Sequence, residues 1–445
     1  MLNHRTYLAL AVPLIISTIT TPLLGVVDTA VVGHLPDPAY IGGVAVGTII
    51  FNTMYWLFGF LRVSTSGFAA QAEGAKNEIQ AVLALARPFV IAAAMGIIFI
   101  LFQEPIVRLS LTLMNPEAGV RTVAAEYFGI RVWGAPFTLV NYVILGWLMG
   151  MSRIKISLML QVWMNLMNIA LALLFVGVFS WGVAGVATAT LISEITAFIA
   201  GLLMIRKASP FDFKRPTLKA LFDPVSFKQM MTVNRDLFIR TVCLLTVFNL
   251  FTAKGASFGT EVLAANAVLI QIHYLMAYFF DGFSNASSIL TGKAVGSKDE
   301  RLYRKTLLLS CQWAVISSLF IAGIYYLCRE PMIGLFTRLP TIIDLAGSYG
   351  MWLVLFPLAA SFGIILYGVF TGATEAAPIR NSMIMALAVY LIVQFIAVPR
   401  LNNDGLWLAF IGFSAGRSVF LGLYIPRLNR KLFADSKSSI PVRTQ

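Results

Sequence analysis

YLALAVPLIISTITTPLLGVVDTAVVG, residues 7–33, carries one carboxylate, Asp28, and no basic residue. An apolar run of this length is sufficient to cross a bilayer as a helix. A carboxylate at the centre of such a helix costs about 2.5–3.5 kcal/mol on insertion scales, and it usually faces the bundle interior or a water-filled cavity. We therefore interpret Asp28 as a site for a coupling ion. The alternative is a structural hydrogen bond near the outer membrane surface.

The composition of the whole chain indicates a membrane protein. Of its 445 residues 58% are hydrophobic and 12% are charged, and the mean hydropathy is +0.82. A soluble fold of this length does not hide so much apolar surface. The three cysteines form no CxxC spacing and the three histidines are scattered, which argues against a disulfide framework and against a metal site. We expect no cofactor.

Hydropathy predicts twelve membrane spans, at 7–33, 41–70, 80–102, 121–149, 155–179, 182–205, 231–253, 261–292, 303–327, 342–372, 377–399 and 405–426. With the amino terminus inside, 21 of the 33 Lys and Arg residues lie on the cytoplasmic side, six lie outside and six lie within spans. This positive-inside bias predicts a multi-pass protein of the bacterial inner (cytoplasmic) membrane with both termini cytoplasmic. It also explains the net charge of +13 without a nucleic-acid partner, since basic clusters can contact anionic membrane lipids.

The chain repeats itself at a spacing of half its length. The loop Gly74–Glu78 (GAKNE) returns as Gly296–Glu300 (GSKDE), between the same two spans of each half. Further matches at this spacing pair alanine, valine, methionine, phenylalanine, tyrosine and glycine positions, among them Gly146 with Gly368 and Gly150 with Gly372. Because each half has six spans, the halves insert with the same orientation. Such parallel repeats are typical of transporters that bind substrate between two moving halves.

The predicted fold is an all-α polytopic membrane protein with twelve transmembrane helices in two pseudo-symmetric six-helix bundles. Its predicted segments are an N-terminal bundle (1–205), a cytoplasmic linker (206–228), a C-terminal bundle (229–428) and a cytoplasmic tail (429–445). A duplicated scaffold with no transport role is the alternative interpretation.

Polar residues form stripes on two predicted helices, because positions i, i+4, i+7 and i+11 share a face. In the first span the stripe includes Ser17, Thr21 and Asp28. In the fifth span it comprises Gln161, Asn165, Asn168 and Ala172. Such side chains often join helices to each other, but beside Asp28 they suit a substrate cavity. The residues predicted to line that cavity are Ser17, Thr21, Gln161, Asn165, Asn52, Asn141 and Ala172.

Other charges within spans are interpreted first as structural, because buried charges in bundles usually pair. Glu194 in the sixth span has Arg131 and Arg62 as available partners. In the second half, Asp236 and Arg240 lie near the start of the seventh span. Asp281 in the eighth span could pair with Arg240 or with Arg417, or form a second proton site, and the sequence leaves these alternatives open.

Two prolines interrupt the first span, Pro13 one turn after its start and Pro22 six residues before Asp28. Proline removes a backbone hydrogen bond and kinks a helix. A kinked helix that carries a protonatable group could bend when the charge of that group changes. We therefore interpret Pro13 and Pro22 as helix-bending residues.

Four stretches of the chain match a family pattern: PLLGVVDTAVVGHL (22–35), GGVAVG (42–47), VNRD (233–236) and DGF (281–283). Through them, and over its whole length, the chain resembles the MATE (multidrug and toxic compound extrusion) transporters, most of all their DinF branch. The resemblance implies export of amphipathic, often cationic compounds, driven by inward flow of protons or sodium ions. It also implies that Asp28 is the coupling residue and that Pro13 is a helix-bending proline.

The fifth-span pattern of the family is an asparagine followed four residues later by an aspartate. Asn168 matches the asparagine, but Ala172 stands at the second position. Thr190 matches a sixth-span threonine of the family. With one central acid in this half, a sodium site lacks oxygen ligands, so the resemblance favours proton coupling over sodium coupling.

The leading prediction is a monomeric proton-coupled multidrug antiporter for small amphipathic or cationic molecules. A flippase for lipids or lipid-linked sugars is an alternative, because buried arginines such as Arg62, Arg131 and Arg417 would suit pyrophosphate headgroups. A membrane enzyme would show an acid-pair, HExxH or GxSxG motif, and none is present. A channel would show a filter segment, and none is evident.

Overall fold

The computed structural model describes residues 2–32, 38–208 and 217–433, with side chains described except at 20–32, 38 and 208. These residues form helices and no strand, which satisfies the backbone hydrogen bonds of a chain in lipid. The predicted all-α architecture is confirmed.

The described residues of the first half form nine α-helices, with one 3₁₀ turn (Val132–Gly134) after the sixth and one π-helical turn (Leu173–Val178) after the eighth. The helices are α1 (His4–Val32), α2 (Pro38–Phe58), α3 (Phe60–Gly74), α4 (Glu78–Leu101), α5 (Gln103–Met114), α6 (Ala118–Arg131), α7 (Ala135–Gly150), α8 (Ile154–Ala172) and α9 (Gly182–Ala208).

In the second half, residues 217–433 form nine further α-helices. They are α10 (Leu218–Leu221), α11 (Pro224–Ala256), α12 (Thr260–Gly296), α13 (Glu300–Gly334), α14 (Pro340–Tyr349), α15 (Met351–Gly372), α16 (Ala376–Leu401), α17 (Asn403–Gly422) and α18 (Ile425–Phe433).

Eleven helical segments with described side chains are long and apolar enough to cross a membrane, and the described part of α1 adds a shorter apolar stretch, His4–Ile19. Three predicted spans are broken. Gly59 separates α2 from α3, Gly350 separates α14 from α15, and the 3₁₀ turn separates α6 from α7. The last break lies just before Pro136, which has no backbone N–H to continue the helical bonding. Hydropathy cannot detect such breaks, because the residues on both sides are apolar.

The chain divides into two compact units. The amino-terminal unit comprises residues 19–73 and 77–230, and the carboxyl-terminal unit comprises 1–18, 74–76 and the chain from Met231 onward. The start of the chain, up to Thr18, joins the carboxyl-terminal unit through hydrogen bonds. The Tyr7 hydroxyl lies 2.8 Å from Ser287 Oγ, and Thr18 Oγ1 donates to the Tyr278 carbonyl at 2.8 Å. The helix α1 is therefore shared between the units, and the sequence-based domain limits stay predictions.

The repeated loop folds in the same way in both halves of the chain. Lys76 and Lys298 adopt left-handed backbone conformations, with φ of 52° and 56°. The next residues, Asn77 and Asp299, cap α4 and α13 by accepting a backbone N–H three positions on, from Gln80 and Leu302. Asn and Asp are favoured N-cap residues because their short side chains reach these unsatisfied donors. The predicted loop repeat is thus a repeated helix–turn–helix structure.

The repeated glycines lie at equivalent helix contacts. In the amino-terminal unit, a Cβ at Gly146 would meet the Arg62 carbonyl and one at Gly150 the Ser66 carbonyl. In the carboxyl-terminal unit, Cβ atoms at Gly368 and Gly372 would meet the Ser284 and Ser288 carbonyls. Both partners of each contact are related by the spacing of the sequence repeat. Small residues that allow backbones to approach this closely are typical of membrane helix packing.

The predicted cytoplasmic tail, 429–445, begins inside a helix. The last helix, α18, buries Leu428 and Phe433. The Tyr303 hydroxyl donates to Asn429 Oδ1 at 2.6 Å, and Lys431 pairs with Glu375 at 2.6 Å. These contacts show that residues up to 433 belong to the packed carboxyl-terminal unit. The helix can pack in this way because its apolar positions recur on one face.

Candidate functional site

The first-span part of the predicted site is only partly described. The backbone of α1 is helical through both prolines to Val32, with Pro13 and Ser17 partly buried. The side chains of Thr21, Pro22 and Asp28 lie outside the described residues. Their predicted roles in the cavity, the helix bend and ion coupling therefore stay predictions.

The polar stripe of the fifth span lies on one face of α8. Gln161 is buried, Asn165 is partly buried, and Asn168 and Ala172 are fully enclosed. Residues on other faces of the same helix, such as Leu166, are exposed. The 3.6-residue period of the helix thus carries the carboxamides into the interior of the amino-terminal unit.

Asn168 and Thr190 meet in this interior. Asn168 Nδ2 donates to Thr190 Oγ1 at 2.9 Å, and Thr190 Oγ1 donates to the Val186 carbonyl at 3.2 Å. Asn168 is 0% exposed, and its Oδ1 accepts no hydrogen bond from any residue that the structure describes. A buried acceptor without a donor costs free energy. Asn168 Oδ1 is therefore suited to a proton-carrying group or to a cation.

Ala172 contributes no polar group to this site. It packs with Phe175 and Ala189 in an apolar cluster, and the π-helical turn Leu173–Val178 begins at the next residue. Single π-helical turns are frequent at functional sites. Position 172, where the fifth-span pattern of the resembled family has an aspartate, is thus surrounded by apolar side chains.

Glu194 lies at ion-pair distance from Arg131, as the sequence suggested. The Glu194 Oε1 to Arg131 Nη2 distance is 4.0 Å, and both side chains are largely buried. Arg131 also donates to the Tyr127 hydroxyl at 2.9 Å and stacks on the Phe51 ring at 4.8 Å. The carboxylate packs against Gly134, where a Cβ would collide with Oε2. The structural role of this pair stays a prediction.

The two additional carboxamides are in different surroundings. Asn141 on α7 is buried, and its Nδ2 donates to the Glu194 carbonyl at 2.9 Å, which joins α7 to α9. Asn52 on α2 is exposed. These observations do not connect Asn141 or Asn52 with Asn168. The place of both residues in a substrate cavity therefore stays a prediction.

In the carboxyl-terminal unit, Asp236 is a buried carboxylate held by two arginines. It is 1% exposed, and its Oδ1 accepts from Arg235 Nη2 at 2.9 Å and from Arg380 Nη1 at 2.8 Å. Sequence reasoning did not identify Arg380 as a partner of Asp236. The basic residue near the inner end of an otherwise apolar span is the signal that could have found it.

Asp281 lies in a second charged cluster of the same unit. It interacts electrostatically with the Arg417 guanidinium, which also interacts with Arg240 and Tyr367. The Arg240 guanidinium carbon is 4.6 Å from the centroid of the Tyr367 ring. Of the partners predicted for Asp281, Arg417 is therefore near it, and both arginines belong to one cluster.

The side chains of these sites are not arranged as metal ligands in the part of the chain that the structure describes. In the described ranges, no three His, Cys, Asp or Glu side chains are grouped as they would be around a metal ion. The predicted absence of a cofactor stays a prediction.

Comparisons with known proteins identify the family. The MatE family model matches the chain twice, at residues 13–174 and 237–397, once in each half. DNA damage-inducible protein F of Escherichia coli (strain K12) is 37% identical over 413 residues, which cover 93% of this chain and 90% of that protein. The probable multidrug resistance protein NorM of Bacillus subtilis (strain 168) is 23% identical, over 96% of each chain.

A solved structure shares the fold. It is described as the outward-facing conformation of a multidrug resistance MATE family transporter of the MOP superfamily. The TM-score is 0.84 at 20% identity, over 97% of this chain and 96% of that chain. The match to the family model, the relative from E. coli and this shared fold lead to one conclusion: the chain belongs to the MATE family of multi-pass membrane transporters and is not an enzyme.

Proposed function

We propose that the protein is a secondary active multidrug antiporter that exports amphipathic or cationic small molecules in exchange for protons. We place it in the bacterial inner membrane as a monomer with both termini in the cytoplasm, where its basic clusters contact anionic lipid. Relatives named as multidrug resistance proteins support the substrate class. The observation that carries the coupling proposal is the buried Asn168 Oδ1, an acceptor without a donor among the described residues.

The proposed mechanism depends on the charge of Asp28. When its carboxyl group is protonated, it is neutral and can donate a hydrogen bond to an acceptor such as Asn168 Oδ1. When it is ionised, it favours a hydrated cavity that can hold a cationic compound. Proton and substrate then stabilise different conformations, and alternating access follows from the difference in their affinities.

The oxygen atoms available near Asn168 favour a proton over a sodium ion as the coupling ion. Hard cations are held by several oxygen ligands. Of the described groups here, Thr190 Oγ1 already bonds to Asn168 Nδ2 and to Val186, and Ala172 offers none. Asn168 Oδ1 and the carboxylate of Asp28 would leave a sodium ion short of ligands, whereas one acceptor is sufficient for a protonated carboxyl group.

The test is transport of ethidium in proteoliposomes under a pH gradient alone or a sodium gradient alone. We expect the pH gradient to drive ethidium uphill and the sodium gradient to drive none, because one titrating carboxyl group binds protons and not sodium. Protein-free vesicles are the control. Uphill transport driven by sodium at constant pH would contradict proton coupling, and uphill transport under neither gradient would contradict antiport.

A Pro13→Ala variant is expected to export ethidium roughly tenfold more slowly, because a restored backbone hydrogen bond opposes bending of α1. Tenfold corresponds to about 1.4 kcal/mol in a rate barrier, which is within the ~3 kcal/mol that proline costs a helix interior. The measurement is the initial efflux rate at equal protein content in the membrane. Pro331→Ala, at an exposed position of α13, is the matched control. Equal efflux rates for Pro13→Ala and wild type would show that bending of α1 at Pro13 is not part of the mechanism.

A further inference from the structure

Four helices of the carboxyl-terminal unit bring a charged cluster together. Arg240 on α11, Asp281 on α12, Tyr367 on α15 and Arg417 on α17 interact electrostatically, and none of them is exposed. The stacking of Arg240 on Tyr367 at 4.6 Å fixes one guanidinium group against the ring. These positions lie in the inner halves of predicted membrane spans, where a charge is costly unless it has a function or a partner.

Close backbone contacts hold the helices of this cluster in register. Gly368 and Gly372, just after Tyr367, pack on the carbonyls of Ser284 and Ser288, one turn and two turns beyond Asp281. Ser418, next to Arg417, donates to the Ala359 carbonyl at 2.6 Å and accepts from the Gly363 N–H at 2.8 Å. The arginine and the tyrosine are therefore placed by packed backbone rather than by flexible loops, which is how binding sites are preorganised.

The charges of the cluster do not balance. The cluster contains two guanidinium groups, those of Arg240 and Arg417, and one carboxylate, that of Asp281, which interacts with Arg417. The nearest acid on α11 is Asp236, one turn before Arg240, and its Oδ1 already accepts bonds from Arg235 and Arg380. Arginine stays protonated at any ordinary pH. Among the four residues of this cluster, the two guanidinium groups thus carry one positive charge more than the Asp281 carboxylate neutralises.

The internal repeat shows that this cluster is not part of the duplicated scaffold. The equivalent positions in the first half of the chain are Thr18, Gly59, Leu145 and Ile195, and none of them is charged. The glycine contacts around the cluster, in contrast, are present in both units. The duplicated helix contacts therefore do not require these charges, which are specific to the carboxyl-terminal half.

We propose that Arg240 and Arg417 bind the carboxylate or sulfonate headgroup of an amphipathic organic anion. Guanidinium groups match such headgroups with two parallel N–H···O bonds. His273, which interacts electrostatically with Arg417, lies in a buried aromatic cluster with Phe356 and Phe410, at centroid distances of 4.2 and 5.0 Å, so the surroundings of Arg417 on this side are apolar. Asp281 competes with the bound anion for the arginines. This site is separate from the proposed cation and proton site in the amino-terminal unit.

The test is equilibrium binding of tritiated 1-naphthaleneacetate to the full-length protein in nanodiscs of zwitterionic lipid, with no ion gradient. We expect Arg417→Gln to weaken binding about tenfold or more, because a charge-assisted hydrogen bond is lost. Asp281→Asn is expected to strengthen binding several-fold, since the competing carboxylate is gone. Arg417→Lys, which keeps the charge, should fall between wild type and Arg417→Gln. Arg301→Gln, an exposed arginine of the same unit, is the matched control and should bind as wild type does.

The opposite signs expected for Arg417→Gln and Asp281→Asn separate binding from misfolding, because a folding defect would weaken binding in both. Unlabelled 1-naphthylmethylammonium, the cation of matching shape, should fail to displace the probe. Equal binding by all variants, loss in both Arg417→Gln and Asp281→Asn, or displacement by the cation would overturn the proposal. We expect Asp28→Asn to retain binding of the probe. The anion site is then tested independently of the coupling mechanism, which is judged by gradient-driven efflux alone.

Discussion

Gradient-driven efflux is expected to fall to the background of protein-free vesicles in an Asp28→Asn variant. Asparagine has nearly the shape of the protonated acid and can donate a hydrogen bond to Asn168 Oδ1, but it cannot release a proton. The protein would then be held in its proton-loaded form. Because asparagine keeps the size of the protonated acid and its capacity to donate a hydrogen bond, the variant should reach the membrane in normal amount. The measurement is ethidium efflux under a pH gradient, with drug resistance of expressing cells as a second readout.

The matched control is Glu104→Gln, which makes the same chemical change at an exposed acid of α5. Glu104 bonds to Arg108 on the surface, where an ion pair contributes at most about 1 kcal/mol. We expect its efflux rate to equal that of wild type. Uphill efflux by Asp28→Asn at the rate of this control would show that the first-span carboxyl group does not couple transport to protons.

The features of the architecture that depend on residues close together in the chain were predictable from the sequence. Apolar length identifies spans, and the pair GAKNE and GSKDE predicted two equivalent loops, since Lys at a left-handed position followed by an Asn or Asp cap is determined by a few neighbouring residues. The α8 stripe was predicted for the same reason, because the helical period alone places Asn168 and Ala172 on one face. Thr190 was reached through family resemblance, and its bond to Asn168 joins two helices.

Contacts between distant segments were not predictable from one sequence. Asn266, Asn403 and Trp407 form a buried network in which Asn266 and Asn403 exchange bonds of 2.7 and 3.0 Å. Arg87 reaches the carbonyls at the end of α10, far along the chain from its own helix α4. These pairs have no shared period or motif, and many other polar residues would have been equally plausible partners. Hydropathy likewise gives no signal that the start of the chain, up to Thr18, belongs with α12 and α13.

Replacing either of two equivalent glycines with alanine is expected to destabilise the protein strongly. In Gly368→Ala the new Cβ would meet the Ser284 carbonyl, and in Gly146→Ala it would meet the Arg62 carbonyl. Backbone atoms on a packed helix cannot move aside as a flexible side chain can, so α15 must separate from α12 and α7 from α3. Overpacking costs typically about 1–3 kcal/mol, which lowers the melting temperature by roughly 2 to 12 °C for a domain of this size.

The matched control is Gly323→Ala in α13, where nothing lies within 4 Å of the added Cβ. There the substitution should leave the melting temperature unchanged or raise it slightly, because alanine favours a helix over glycine by about 1 kcal/mol. Melting in detergent can be followed by thiol exposure, since Cys243 is buried in the folded protein. Because the two contacts belong to different units, the repeat further predicts losses of similar size in Gly146→Ala and Gly368→Ala. A loss in only one of them would mean that the duplicated helix contact stabilises just one half, and melting of both at the temperature of Gly323→Ala would contradict the packing argument altogether.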